Sequence, residues 1–203
     1  TVSNNGGHLA SNLGAVELTV AIHKVFNSPM DSIIFDVGHQ SYTHKILTGR
    51  NAKFDSLRTE NGITGFMNPK ESEHDPFISG HSSTSLSAGF GIAKANRLLG
   101  KAGRVVCVIG DGALTGGMAY EALNNIGRSN ENMIIIINDN KMSISENVGA
   151  MAKYLSEVRT RSSYINTKES VKYKISSIPV IGNPMTKIIE KSKSKLKNAI
   201  FSQ

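Results

Sequence analysis

The chain has 203 residues, 39% of them hydrophobic, enough for a sizeable core in one large domain or two small ones; this excludes a disordered or collagen-like chain. Its formal net charge of +7 is lopsided: residues 1–158 carry 13 Lys and Arg against 14 Asp and Glu, and residues 159–203 carry ten against two. The basic tail lacks regularly interleaved aromatic residues and sets Lys191, Lys193, Lys195 and Lys197 at alternate positions, so a solvated helix face is expected there rather than a nucleic-acid site.

Leu9, Leu13, Val16 and Val20 recur at helical spacing up to Asn27-Ser28-Pro29, which predicts a helix. Ile33-Ile34-Phe35 then reads as a buried strand leading into a glycine turn at Gly38-His39-Gln40. A second helix is expected from Ser82 or Ser83 through Leu86, Phe90 and Ala93 to Leu98, with Gly100 placed to end it and Ala88, Gly89 and Gly91 allowing close packing. Val105-Val106-Cys107-Val108-Ile109 has the unbroken apolar, β-branched pattern of a parallel strand covered on both faces. Cys107 reads as a small core residue, not a nucleophile, and as the single cysteine it forms no internal disulfide. Gly110-Asp111-Gly112 breaks the strand. A helix from about Thr115 to Ile126 leads to another buried strand over 133–137, which ends at Asn138-Asp139-Asn140. The expected fold is therefore α/β, a doubly wound parallel sheet with helices on both faces. Residues 1–150 form its site-bearing domain. Residues 151–203 are expected to be a mostly helical basic extension, with short helices and loops over 150–182 and an amphipathic helix over 184–201. No apolar run nears the ~20 residues of a membrane span and no signal-peptide pattern opens the chain, so a soluble cytoplasmic protein with no membrane and no nucleic-acid partner is expected.

In open parallel sheets ligands bind beyond the carboxyl ends of the strands. Two such loops, Gly110-Asp111-Gly112-Ala113 and Asn138-Asp139-Asn140-Lys141-Met142-Ser143, are separated by one βαβ crossover. The glycines let backbone N–H groups approach an anion, and the helix that follows directs its positive end to the same place, which suits phosphate. A bare carboxylate would repel phosphate, so Asp111 makes sense there if a divalent cation lies between them. Magnesium fits the ligand set: the Asp111 carboxylate, the Asn140 amide oxygen, a loop carbonyl, two diphosphate oxygens and a water. Taken alone, the same residues suit a tight turn with Asp111 bonded to nearby backbone. A Walker loop is excluded because Gly116-Gly117 is followed by Met118, and a dinucleotide fingerprint because Thr115 holds the third glycine position.

The order strand, G-D-G, helix, strand, N-D-N is that of thiamine diphosphate-binding domains. Six blocks, Gly6-Gly7-His8, Asp36-Val37-Gly38-His39-Gln40, His44-Lys45-Ile46-Leu47-Thr48-Gly49-Arg50, Gly80-His81-Ser82-Ser83-Thr84-Ser85, Gly110-Asp111-Gly112-Ala113 and the segment 138–149, closely resemble the successive blocks of the 1-deoxy-D-xylulose-5-phosphate synthase family, in that family's order. The resemblance implies that Asp111 and the Asn140 side chain are metal ligands, with the Met142 backbone carbonyl. It implies that Gly80, His81, Ser82, Gly112, Ala113 and Asn140 line thiamine diphosphate. Ser82 suits a helix cap equally. His8 and His39 become contacts to cofactor or substrate, with His8 the candidate for proton transfer with the bound acceptor. His23 sits inside a helical apolar pattern and His44 in a basic segment, so neither carries a comparable case, and His74 is expected to be a loop residue.

The implied reaction joins pyruvate and glyceraldehyde 3-phosphate with loss of CO2. Members of that family are much longer, with a pyrimidine-binding domain that supplies a glutamate, and the resemblance implies a homodimer. We expect these residues to hold the diphosphate half of the site and not to turn over alone, the rest lying on the same or another chain. The amino-terminal half of a split transketolase-like enzyme and a non-catalytic binding fragment are the alternatives.

Overall fold

The computed structural model describes residues 1–139, together with Ala150 and Tyr154. The chain divides into two units, Thr1–Gly149 and Ala150–Gln203, and the sheet and its helices belong to the first. The helix expected over 184–201, and all but two residues of the segment 150–182, lie outside the described residues.

Three parallel strands make the sheet, in the order β1-β2-β3: β1 Ser32–Phe35, β2 Val105–Gly110 and β3 Met133–Asn138. The register pairs Ser32 with Val105 and Phe35 with Val108 on one side of β2, and Val105 with Met133 and Gly110 with Asn138 on the other. Before β1 come α1 (Val2–Asn5), α2 (Leu9–Leu13) and α3 (Val16–Val25). Between β1 and β2 lie α4 (Tyr42–Lys45), a bent segment Ile46–Arg50, a 3-10 turn Asn51–Ser56, and α5 (Ser85–Leu98). A 3-10 turn Ala113–Thr115 and α6 (Gly117–Ile126) connect β2 to β3.

Because strand side chains alternate, the two faces of the sheet fill separately. Ile33 and Phe35 of β1 and Val106 and Val108 of β2 share one core with Met67 and with Ile22 of α3, flanked by Leu18 and Phe26. On the opposite face α5 comes so close to β2 that a Cβ on Gly89 would lie 2.3 Å from the Cys107 Sγ. Helices thus cover both faces of a parallel sheet, as expected, and Cys107 is fully buried.

Three expectations need correction. The first predicted helix is two, broken at Gly14-Ala15, and it buries Asn12, Ala15, Thr19 and Ile22 rather than the stripe Leu9, Leu13 and Val20, which is 53%, 40% and 47% exposed. Strand β3 is only half covered, with Ile134 and Ile137 exposed, because among the described residues it has a strand neighbour on one side alone. Helix α5 starts at Ser85, with Thr84 as its first flanking residue and no side-chain cap. Ser82 is therefore not its cap.

Candidate functional site

A buried carboxylate ties the end of β1 to the segment that enters α5. Asp36, the residue after β1, is 1% exposed, and its two oxygens accept the backbone N–H groups of Ser83 (2.8 Å) and Ser85 (3.0 Å). A negative group at the first turn of α5 also suits the positive end of that helix. Ser83, held at φ 67°, passes the link onward: its hydroxyl donates to the Ala113 carbonyl at 2.6 Å. Gly116 makes room for it, since a Cβ there would lie 2.1 Å from the Ser83 Oγ. The segments 36–41, 79–85 and 111–116 are thereby fixed against one another.

Four of the candidate residues sit on these segments with accessible atoms. Gly80 (φ 145°), His81, Ser82 and Gly112 are exposed, and nothing lies within 4 Å of where a Cβ on Gly80 would be. The His81 ring Nδ1 is 2.9 Å from the Ser82 carbonyl. Ala113 opens the 3-10 turn, so α6 begins at Gly117 rather than directly after Gly112. Asp111 follows the end of β2, and its N–H donates to the Asn138 carbonyl at 3.3 Å, which places it against the end of β3. Asn140 lies two positions beyond Asn138, outside the described residues, as does Met142. Among the described residues no group of three His, Cys, Asp or Glu side chains converges on a metal position.

His8 and His39 come together, their rings meeting edge to face with centroids 5.2 Å apart. His8 is exposed at the start of α2, whereas His39 is half buried in the turn after β1. Burial and then the neighbouring His8 imidazole lower the His39 pKa against the opposing pull of Asp36, so neutral His39 is favoured. Its Nδ1 is buried without a hydrogen-bond partner. A buried ring nitrogen awaiting a partner, open glycine backbone and firmly tied loops are what a polar, phosphorylated ligand uses, and the residues present fit one.

The sequence reading missed a second cluster. His44, fully buried, meets Asp75 through Nε2 (3.0 Å) and His23 Nε2 through Nδ1 (2.9 Å). Since a carboxylate only accepts, neutral His44 donates from Nε2 and accepts from His23 at Nδ1. Arg50 grips Asp75 with both terminal nitrogens (2.7 and 2.9 Å) and also reaches Glu71, to which the buried Lys45 donates. Burial, then His44 and His74, pull His23 down to about 4; burial also lowers His44, against its bond to Asp75. Burial pushes the Asp75 carboxyl up, yet the bonds from His44 and Arg50 outweigh it and hold the group far below the usual range. Residues 23, 44 and 75 carry no local spacing signal. Only the packing of α3, α4 and the 64–75 loop unites them.

The fold resembles that of transketolase from Leishmania mexicana, with a TM-score of 0.56 over 75% of this chain and 27% of that one; at 18% identity the likeness concerns the fold alone. An α/β fold of the transketolase type is therefore the class. The sequence family described as 1-deoxy-D-xylulose-5-phosphate synthase matches residues 1–203, and the chain belongs to that family. It is 58% identical over 199 residues to the 1-deoxy-D-xylulose-5-phosphate synthase of Caldanaerobacter subterraneus subsp. tengcongensis, 56% over 197 residues to that of Alkaliphilus oremlandii, and 50% over 200 residues to that of Treponema pallidum subsp. pallidum. These matches cover 97–98% of this chain and 32% of each relative, so the chain spans about a third of their length.

Proposed function

We propose that the chain is the diphosphate- and metal-binding part of a 1-deoxy-D-xylulose-5-phosphate synthase, an enzyme that joins pyruvate to glyceraldehyde 3-phosphate with release of CO2. The observation that carries the reading is the link from Asp36 through Ser83 to Ala113, which ties together the loops bearing the family's blocks. Asp111, the Asn140 side chain and the Met142 carbonyl would hold magnesium. Gly80, His81, Ser82, Gly112, Ala113 and Asn140 would line thiamine diphosphate. When bound, that cofactor supplies the electron sink for decarboxylation.

The chain's own residues bind, orient and move protons. His39, half buried beside His8, meets the bound molecules in the neutral state that its surroundings favour. His8, exposed and edge-on to His39, exchanges a proton with the acceptor aldehyde oxygen as the new carbon–carbon bond forms. The carboxylate facing the aminopyrimidine comes from a pyrimidine-binding domain on the same or another chain, the assembly is a homodimer, and the setting is cytoplasmic.

Calorimetric titration of the purified chain with thiamine diphosphate, with and without magnesium, tests the reading. Magnesium-dependent binding that disappears in Asp111→Ala is the expected result. Binding indifferent to both magnesium and Asp111 would overturn the metal bridge. If no binding is seen, adding the pyrimidine-binding domain of a relative decides: continued absence of binding overturns the reading.

A further inference from the structure

Asn12 is the one polar member besides Thr19 of the buried face formed by Asn12, Ala15, Thr19 and Ile22 along α2, α3 and the break between them, and it is 6% exposed. Its amide nitrogen donates to two carbonyl oxygens, that of His8 at 2.8 Å and that of His39 at 2.7 Å. Its oxygen accepts the N–H of Tyr42 at 2.9 Å. A carboxamide has two N–H donors, so both are used, and the reverse orientation would set oxygen against two carbonyl oxygens. The three partners belong to three segments: His8 precedes α2, His39 lies in the turn after β1, and Tyr42 opens α4. From the other side, Gly7 (φ 144°) runs over the Tyr42 ring, where a Cβ would lie 2.7 Å from the phenol oxygen. The backbone leading into His8 is thus held between Asn12 and Tyr42.

We propose that Asn12 is a positioning residue for the histidine pair: by tying the backbones of His8 and His39 to one amide it sets the edge-to-face approach of their rings. It acts through these backbones and needs no contact with substrate. Side chains at a reacting centre must be held within about 0.5 Å, and two hydrogen bonds to the peptides that carry the rings do this more rigidly than packing against an exposed His8 could. The consequence for turnover rests on the function proposed above; the geometry can be tested without it.

The test uses crystal structures and kinetics of the full-length protein, its Asn12→Ala variant and its Asn12→Asp variant. Asp has the size of Asn and keeps the acceptor for Tyr42 but has no donor for the two carbonyls. In both variants the His8 and His39 rings should separate by about 1 Å or more, and kcat should fall roughly tenfold to a hundredfold with a smaller change in the KM for pyruvate. The His23–His44 contact, remote from Asn12 in its hydrogen bonding, should remain at 2.9 Å as an internal control. An unchanged ring pair in either variant would overturn the proposal, as would a separated pair with full kcat. If both variants lose the His23–His44 contact too, or fail to fold, Asn12→Ser decides by the same comparison, and its failure to fold would assign Asn12 to the fold as a whole and overturn the proposal. Wild-type protein without synthase turnover would instead count against the proposed function, with the ring geometry still judged by the structures.

Discussion

Asp36 shows how one side chain can serve the fold and the site together. Removing its carboxylate in Asp36→Ala leaves the Ser83 and Ser85 N–H groups buried and unpaired, at a cost of about 2–4 kcal/mol that a urea denaturation midpoint would register. The same change releases the 80–85 loop from β1, so affinity for magnesium–thiamine diphosphate should fall in the fraction that stays folded; an affinity equal to wild type would show that the loop is held by other means. Cys107 sits at the opposite extreme. Burial and the charge of Asp36 push its thiol up to about 12, which leaves it protonated and inert at neutral pH, a packing group as its apolar run suggested.

At the scale of elements, α5 packs tightly against β2 at Gly89. Gly89→Ala would set a methyl 2.3 Å from the Cys107 Sγ and 3.1 Å from the Met133 Cε, and should destabilise by about 1–3 kcal/mol even though alanine is the better helix former. Cys107→Ala in the same chain should relieve part of this, so a double-mutant cycle read by denaturation should give a favourable coupling between the two positions. The strands themselves were legible in the sequence to within a residue, because short unbroken apolar runs rich in β-branched residues leave little else to form. The orientation of the first helical segment was not. Its apolar stripe Leu9, Leu13 and Val20 faces outward, while the inward face is set by what small residues allow to approach and by the three polar partners of Asn12, none of which periodicity can report. In the candidate site, Asp111 and the glycine turn after β2 were proposed from strand-end logic, and Gly80, His8 and His39 from resemblance to a family. Asp36, Asn12 and the His23–His44–Asp75 cluster escaped because each has at least one partner more than 20 positions away, which only tertiary packing brings near.

For the molecule as a whole, that buried cluster makes stability depend on pH in a definite direction. His23 has its pKa lowered from 6.5 to about 4 in the folded state, so between these values the unfolded chain binds the proton more readily and stability falls as pH falls. The lowered His44 acts in the same sense. Asp75, held far below its ordinary 3.8, adds stability above that value which is lost as acid finally protonates the folded form. Urea midpoints should therefore drop from pH 7 to pH 5, and His23→Gln should flatten the drop; an equal slope in the variant would mean that His23 titrates alike in both states. The order of the strands carries another consequence, for a chain emerging from a ribosome. Ser32 pairs with Val105, whereas Val105 pairs with Met133, so β1 is made long before its partner while β2 and β3 follow one another closely. At the usual pace of synthesis, about 5–20 residues per second, the run Ile33-Ile34-Phe35 waits roughly 4–15 s with its edge unpaired, an interval in which a nascent-chain chaperone would find its natural target.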